Sequence, residues 1–416
     1  MKSDTNCLIA QSGGPTTVIN ASLAGVIKKA LKEESIHRIY GAVHGIQGVI
    51  DDNLLDLTDI FENDDLKINQ LKHTPAMFLG SCRYKLSDYA ENISDYSIIF
   101  QTLKKYSVKY FLYIGGNDSM DTVLKLSAYG KTIHSDIKFI GIPKTIDNDL
   151  ECIDHSPGFG SAAKYIAAST LEIAHDTYIY DMKSVTIIEI MGRNAGWLTG
   201  AAALARNEYS SAPHLIYLPE KPFSTGKFVA DIKAQLKERK HVIVAVSEGV
   251  KDRAGSYISA ESAKTDQFGH VMLSGTGKYL EGLVKHTIGC KVRSIELNVL
   301  QRCASHASSL TDIEEAFQLG QHGIKAALNG ESGVMATLNR KDSHPYTVEY
   351  GTVPIEKVAN IEKKVPLSWI NEEGNDITDS FVEYALPLIE GEANVKYRNG
   401  VPEYFNVSHL VENITV

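Results

Sequence analysis

Two stretches decide the fold. They are Lys109-Tyr-Phe-Leu-Tyr-Ile-Gly115-Gly116-Asn117-Asp118-Ser119 and Lys138-Phe-Ile-Gly-Ile-Pro143-Lys144-Thr145-Ile146-Asp147-Asn148-Asp149. Each is an apolar run of strand length that passes at once into polar and glycine residues, the pattern of a buried strand delivering a loop. In an open parallel sheet such loops stand at the carboxyl ends of the strands, where ligands bind. Adjacent glycines let the backbone approach a ligand and take positive φ, and a helix opening at about Ser119 points free N–H groups at an anion. Asp118, Asp147 and Asp149, with Lys144 beside them, bring too much charge to bury unpaired, so a metal ion, a phosphate or solvent must complete the loops. A carboxylate placed there can also take the proton of an attacking hydroxyl.

Working outward, the same unit recurs. Cys7-Leu-Ile-Ala10 reads as a strand and Gln11-Ser-Gly-Gly-Pro-Thr-Thr17 as a second phosphate-approach loop through Gly13 and Gly14. Val18, Ile19, Leu23, Val26, Ile27, Ala30 and Leu31 follow at helical spacing. Residues 38–50 read as a strand and a glycine-containing turn, Leu79 to Arg83 as a loop presenting Arg83, and 95–106 as a helix. Beyond Asp149 come a loop with Pro157 and Gly160, a helix over 161–178 and a strand over 184–190 that ends in Met191-Gly192-Arg193-Asn194. A strand over 214–218, a helix over 225–239 and a strand from His241 deliver Ser247-Glu248-Gly249. Residues 295–302 read as a strand ending in Arg302, before His306 and a helix over 311–328. Singly these features have plainer meanings: a Gly-Gly turn reverses the chain, a loop arginine is solvated, a carboxylate past a strand caps a turn.

Their alternation implies a doubly wound parallel sheet, and the fold expected for the chain is α/β, two Rossmann-like parallel-sheet domains with the active site in the cleft between them. The expected divisions are 1–150 for the first α/β domain, 151–338 for the second, and 339–416 for a C-terminal extension packed on the body or forming an oligomer surface.

At 416 residues, 43% of them hydrophobic, the chain is long enough for two or three cores, and its net charge of −9 argues against nonspecific nucleic-acid binding. Cys7, Cys82, Cys152, Cys290 and Cys303 are scattered without a C-x-x-C pair, which disfavours a zinc site or a disulfide framework and fits a reducing cytoplasm. A polar start and the lack of any apolar run of membrane-spanning length agree with a cytoplasmic location and no membrane partner.

The ordered set Ser12-Gly-Gly14, Gly80-Ser-Cys-Arg83, Gly115 to Ser119, Thr145-Ile-Asp-Asn-Asp149, Met191-Gly-Arg193, Glu248 and Gln301-Arg302 resembles the phosphofructokinases from about Cys7 to Leu338. The resemblance implies phosphoryl transfer to the 1-hydroxyl of fructose 6-phosphate, with Mg²⁺ as cofactor and a homodimer or homotetramer as the working form. Asp147 is similar to the family's general base. Thr145 and Asp147 bracket the transferred phosphoryl group, with Ile146 and Asp149 as substrate contacts of the same run; Met191, Gly192, Arg193 and Glu248 resemble the sugar contacts, Arg302 a 6-phosphate clamp, and Gly13 and Arg83 the donor side.

Two positions resemble the pyrophosphate-dependent branch. Asp118 stands where the ATP-using branch has a third glycine, and Lys144 where that branch has a glycine before the Thr-Ile-Asp run. A carboxylate at Asp118 repels a nucleotide's α-phosphate by about 4 kcal/mol at about 4 Å and an effective dielectric near 20, roughly a thousandfold in binding. Lys144 restores positive charge for the small, highly charged pyrophosphate. Asn117 occupies the usual place of a metal-binding aspartate, so Asn117 and Asp118 share the expected metal role. The other readings are an ATP-dependent phosphofructokinase, a noncatalytic regulatory subunit and a nicotinamide-dependent oxidoreductase; for the last, Ser12-Gly-Gly-Pro lacks the required glycine spacing.

Overall fold

The computed structural model describes residues 5–258 and 275–410. The strands of its two main sheets are β1 (Asn6–Gln11), β2 (Ile39–Ala42), β3 (Leu54–Asp56), β4 (Val108–Gly115), β5 (Lys138–Pro143), β6 (Ser184–Ile190), β7 (Leu215–Tyr217), β8 (His241–Ser247), β9 (Lys291–Glu296), β10 (Val334–Ser343) and β11 (Tyr346–Pro354). One sheet runs β11-β10-β5-β4-β1-β2-β3 and a second β7-β8-β6-β9. The second is parallel throughout, whereas the first is parallel at its centre and closes with antiparallel β3 and β11 at its two edges.

In the second sheet, side-chain alternation produces two separate cores. Ile188, Ile190, Ile243 and Ala245 face the layer containing Phe159, Trp197 and Phe381, while Val185, Ile187, Val242, Val244 and Val246 face Phe228 and Leu280. Strands covered on both faces read as continuous apolar runs, which is why β8, apolar from Val242 to Val246, stands out in the sequence.

The helix Leu310–Leu328 lies against the helix Ile19–Ala30 of the first sheet. A Cβ on Gly25 would stand 2.0 Å from Phe317 O, and one on Gly320 2.1 Å from Ser22 O, so glycine at both positions is what allows this backbone approach. β10 then joins β5. The division expected at 338/339 therefore falls inside a single strand of the first sheet, and residues from 334 to 354 complete that sheet's edge. Further on, the helix Asp379–Ala385 inserts Phe381 into the second unit's core, with a ring atom 2.6 Å from where a Cβ on Gly200 would stand. The C-terminal segment thus packs on both units.

Several local expectations shift. The helix after Gly116 begins at Asn117 rather than at about Ser119, and the next long helix at Phe159 rather than Ser161. Residues 45–50, read as a turn, form a short helix. The strand expected over 295–302 ends at Glu296; a 3-10 turn, Asn298–Arg302, follows with Asn298 at φ 46°, a backbone region that asparagine tolerates and a strand excludes.

Candidate active site

The carboxyl ends of β1, β4 and β5 bring three loops together. Lys144 is 2% exposed and its ammonium donates to Ser12 O at 3.0 Å and Gly14 O at 2.6 Å, fastening the β5 loop to the first glycine loop. Gly13, at φ 83°, has no Cβ to displace it: one there would sit 3.2 Å from Lys144 Nζ. Burial holds the Lys144 amine down to about 8, against the raising effect of Asp147 and Asp149. Ser81 Oγ donates to Gly13 O at 2.8 Å, so the loop that carries exposed Arg83 is fastened to the same glycines. Gly115 makes room for Ser119, whose hydroxyl meets that of Ser12 at 2.6 Å.

The run from Thr145 to Asp149 is held so that its carboxylates line the cleft. Thr145 pairs with Gly158, and its hydroxyl accepts from Asp147 N at 3.1 Å. Ile146 is buried beneath the loop. Asn148, fully buried and left-handed at φ 54°, donates to Tyr384 Oη at 2.9 Å and accepts from Ser156 N at 2.8 Å. Burial pushes the Asp147 carboxyl upward while Arg193, Lys144 and Arg302 draw it down, with a net rise; Asp149 is raised by burial and by the neighbouring charge of Asp147. The loop from Pro157 to Gly160 carries no free helix start: Gly158 N and Ser161 N donate to the Asp312 carboxylate at 2.9 and 2.8 Å.

From the second sheet, Met191 N donates to Gln301 Oε1 at 3.2 Å, the Ser247 hydroxyl donates to Gly192 O, and Gly192 N approaches Glu248 Oε1 at 3.4 Å. A Cβ on Gly249 would lie 2.0 Å from Arg193 O, so the loops after β6 and β8 meet backbone to backbone. Arg193 Nε is buried without a hydrogen-bond partner, a donor suited to an anion. Burial and the charge of Asp147 push Glu248 up to about 7. Arg302 reaches across the cleft: its Nη1 stands 3.2 Å from where a Cβ on Gly14 would be. His306 is exposed on the following turn.

For a cation, Asn117 is informative. Its Nδ2 donates to Ile361 O at 3.0 Å while its Oδ1 is buried with no partner, and Asp118 stands exposed beside it on the first turn of the helix. Among the described residues no three His, Cys, Asp or Glu side chains form a metal cage. The arrangement fits Mg²⁺, which takes one or two protein oxygens and completes its shell with phosphate and water. Sequence reasoning missed Glu362 and Lys363 and gave no separate part to Asn148 and Asn194 within their motifs. Lys363 N donates to Asp149 O at 2.8 Å and Glu362 accepts from Asn194 Nδ2 at 3.0 Å. Only the pairing of these two residues with distant loops brings them to the site, and no local spacing signals that.

Glycine loops and a helix start on one wall, paired carboxylates at the centre and arginines on the other wall define an α/β phosphotransferase. The chain belongs to the phosphofructokinase family, whose pattern matches residues 6–327. It is 40% identical over 408 residues to the pyrophosphate–fructose 6-phosphate 1-phosphotransferase of Xanthomonas campestris, covering 97% of this chain and 96% of that one. The crystal structure of a pyrophosphate-dependent phosphofructokinase from Nitrosospira multiformis superposes with a TM-score of 0.87 at 39% identity, covering 96% of this chain and 95% of that one. A sulfofructose kinase from Alkalicoccus urumqiensis is 32% identical over 88% of this chain and 91% of its own length.

Proposed function

We propose that the chain catalyses the reversible, Mg²⁺-dependent transfer of a phosphoryl group from pyrophosphate to the 1-hydroxyl of fructose 6-phosphate, giving fructose 1,6-bisphosphate and phosphate. The observation that carries this reading is Lys144, a buried ammonium held on the first glycine loop and facing Asp147. Asp147 accepts the hydroxyl proton as the sugar oxygen attacks the distal phosphorus, and the bond from that phosphorus to the bridging oxygen breaks to release phosphate. Its raised proton affinity suits a base that must also return the proton in the reverse direction. Lys144, Gly13 and Arg83 receive the donor; Asp118 at the helix start repels a nucleotide; Thr145, Ile146 and Asp149 hold the loop about the transferred group. Met191, Gly192, Arg193 and Glu248 take the sugar, and Arg302 serves the acceptor phosphate and, from its seat against Gly14, the donor. Asn117 and Asp118 would hold Mg²⁺, which when bound neutralises phosphate charge.

A homodimer or homotetramer is supported by Ile179 and Met182, 72% and 49% exposed, near the open edge of β9, where Lys291 Nζ lies 4.0 Å from the Tyr180 ring. The five free thiols suit a reducing cytoplasm. Among the described residues no helix is long and apolar enough to cross a membrane.

The test is steady-state phosphorylation with Mg²⁺, pairing pyrophosphate or ATP with fructose 6-phosphate or its 6-sulfonate counterpart. Turnover with pyrophosphate and fructose 6-phosphate alone is expected. Turnover with ATP refutes Asp118 as the donor selector, preference for the sulfonate overturns the acceptor, and no turnover in any pairing favours a regulatory subunit.

A further inference from the structure

The segment Asn360–Lys363 touches the helix after β4, the loop after β5 and the loop after β6. Asn360 Nδ2 donates to Asp121 Oδ1 at 2.9 Å, and Ile361 O accepts from Asn117 Nδ2 at 3.0 Å, both on the donor-side helix. Glu362 pairs as an isolated antiparallel bridge with Leu150, and Lys363 N donates to Asp149 O at 2.8 Å, on the catalytic loop. The Glu362 carboxylate accepts from Asn194 Nδ2 at 3.0 Å, on the acceptor loop, and Asn194 Oδ1 is in turn 3.3 Å from Lys251 Nζ. Lys363 is anchored beneath by Ile153 O at 3.0 Å and Asp154 O at 2.6 Å.

We propose that Glu362 is a positioning residue for phosphoryl transfer, locking the Met191-to-Asn194 loop to the catalytic loop while setting a further negative charge beside Asp147 and Asp149. The inference rests on the phosphoryl-transfer reading above. The electrostatic half follows from what surrounds the base. Lys144, Arg193 and Arg302 face Asp147 and favour its ionised form; Asp149, Glu248 and Glu362 oppose it, and Lys363 faces Asp149 from the strap. Burial raises the proton affinity of Asp147 against these three cations. The carboxylate of Glu362 adds to that rise without entering the reaction, and because Glu362 is exposed it does so at little desolvation cost.

The two halves separate by substitution. Glu362→Gln keeps an oxygen to accept from Asn194 and removes the charge; Glu362→Ala removes both. The measurement is the pH dependence of kcat/KM for fructose 6-phosphate in wild type and both variants, with hydrogen exchange at the amides of residues 191–194. Removing the charge lowers the proton affinity of Asp147, so the acid limb should move to lower pH in Glu362→Gln by on the order of half a unit. Exchange in that variant should match wild type, and in Glu362→Ala it should rise several-fold. An acid limb in Glu362→Gln that overlays wild type refutes the electrostatic role, and unchanged exchange in Glu362→Ala refutes the lock. Absence of turnover in wild type refutes the phosphoryl-transfer reading instead, and the exchange comparison still decides the lock.

Discussion

Replacing Lys144 by methionine isolates what a buried ammonium does in the donor site. The side chain is 2% exposed and spends two of its three donors on Ser12 O and Gly14 O. Methionine has nearly the same length and no charge. The cost of holding the charge buried is then lost together with the two hydrogen bonds, and folding should survive. The stability sign is definite: the folded amine titrates at about 8, below its ordinary 10.5, so between those values the unfolded chain binds more protons and stability rises with pH. Below that window the buried charge costs about 3 kcal/mol. Activity has the opposite dependence, since turnover needs the ammonium and falls as pH rises through about 8. A unit charge about 5 Å from a phosphoryl group at an effective dielectric near 20 contributes about 3 kcal/mol to the transition state. The Lys144→Met enzyme should therefore lose roughly two to three orders of magnitude in kcat/KM for pyrophosphate, while the affinity for fructose 6-phosphate, by calorimetry, stays within a few fold. It should also lose the alkaline fall near pH 8. A loss under about tenfold, or an equal weakening of sugar binding, refutes the assignment.

Asp147→Asn retains the loop's shape and removes the base; turnover should be abolished while calorimetric binding of fructose 6-phosphate changes only a few fold, and retained turnover removes Asp147 from that role. His155, buried between Asp154 at 2.8 Å and Glu315 at 2.7 Å, is pulled down by burial but carried up to about 9 by the Glu315 charge and by its bonds to both carboxylates. Its folded value is raised, so it contributes about 3 kcal/mol at pH 6 that is lost as pH rises from about 6.5 through 9. The difference in urea midpoint between wild type and His155→Gln should shrink across that window; a constant difference rules out an imidazolium at this position.

The alternation of strand, loop and helix was legible because strands buried on both sheet faces are largely apolar in unbroken runs, as in β4 and β8. The loops from Gly13, Gly115, Thr145, Met191 and Ser247 followed from those strands, since a parallel sheet places all its strand ends on one side. The family was legible for the same reason: its chemistry lies in short contiguous motifs. Other features arise only when distant segments meet. Antiparallel pairing of β10 with β11 returns the chain toward the cleft, so that Glu362 reaches Asn194, 168 positions earlier, and Lys363 N reaches Asp149 O. Tyr384, 236 positions from Asn148, holds the centre of the catalytic loop. Asp312 closes a helix start that the sequence presents as an open glycine loop. Periodicity is imposed by the nearest layer of packing and is written locally in the chain. A hydrogen bond between single polar groups leaves no such trace, because either partner is an ordinary surface residue until the fold brings the other to it.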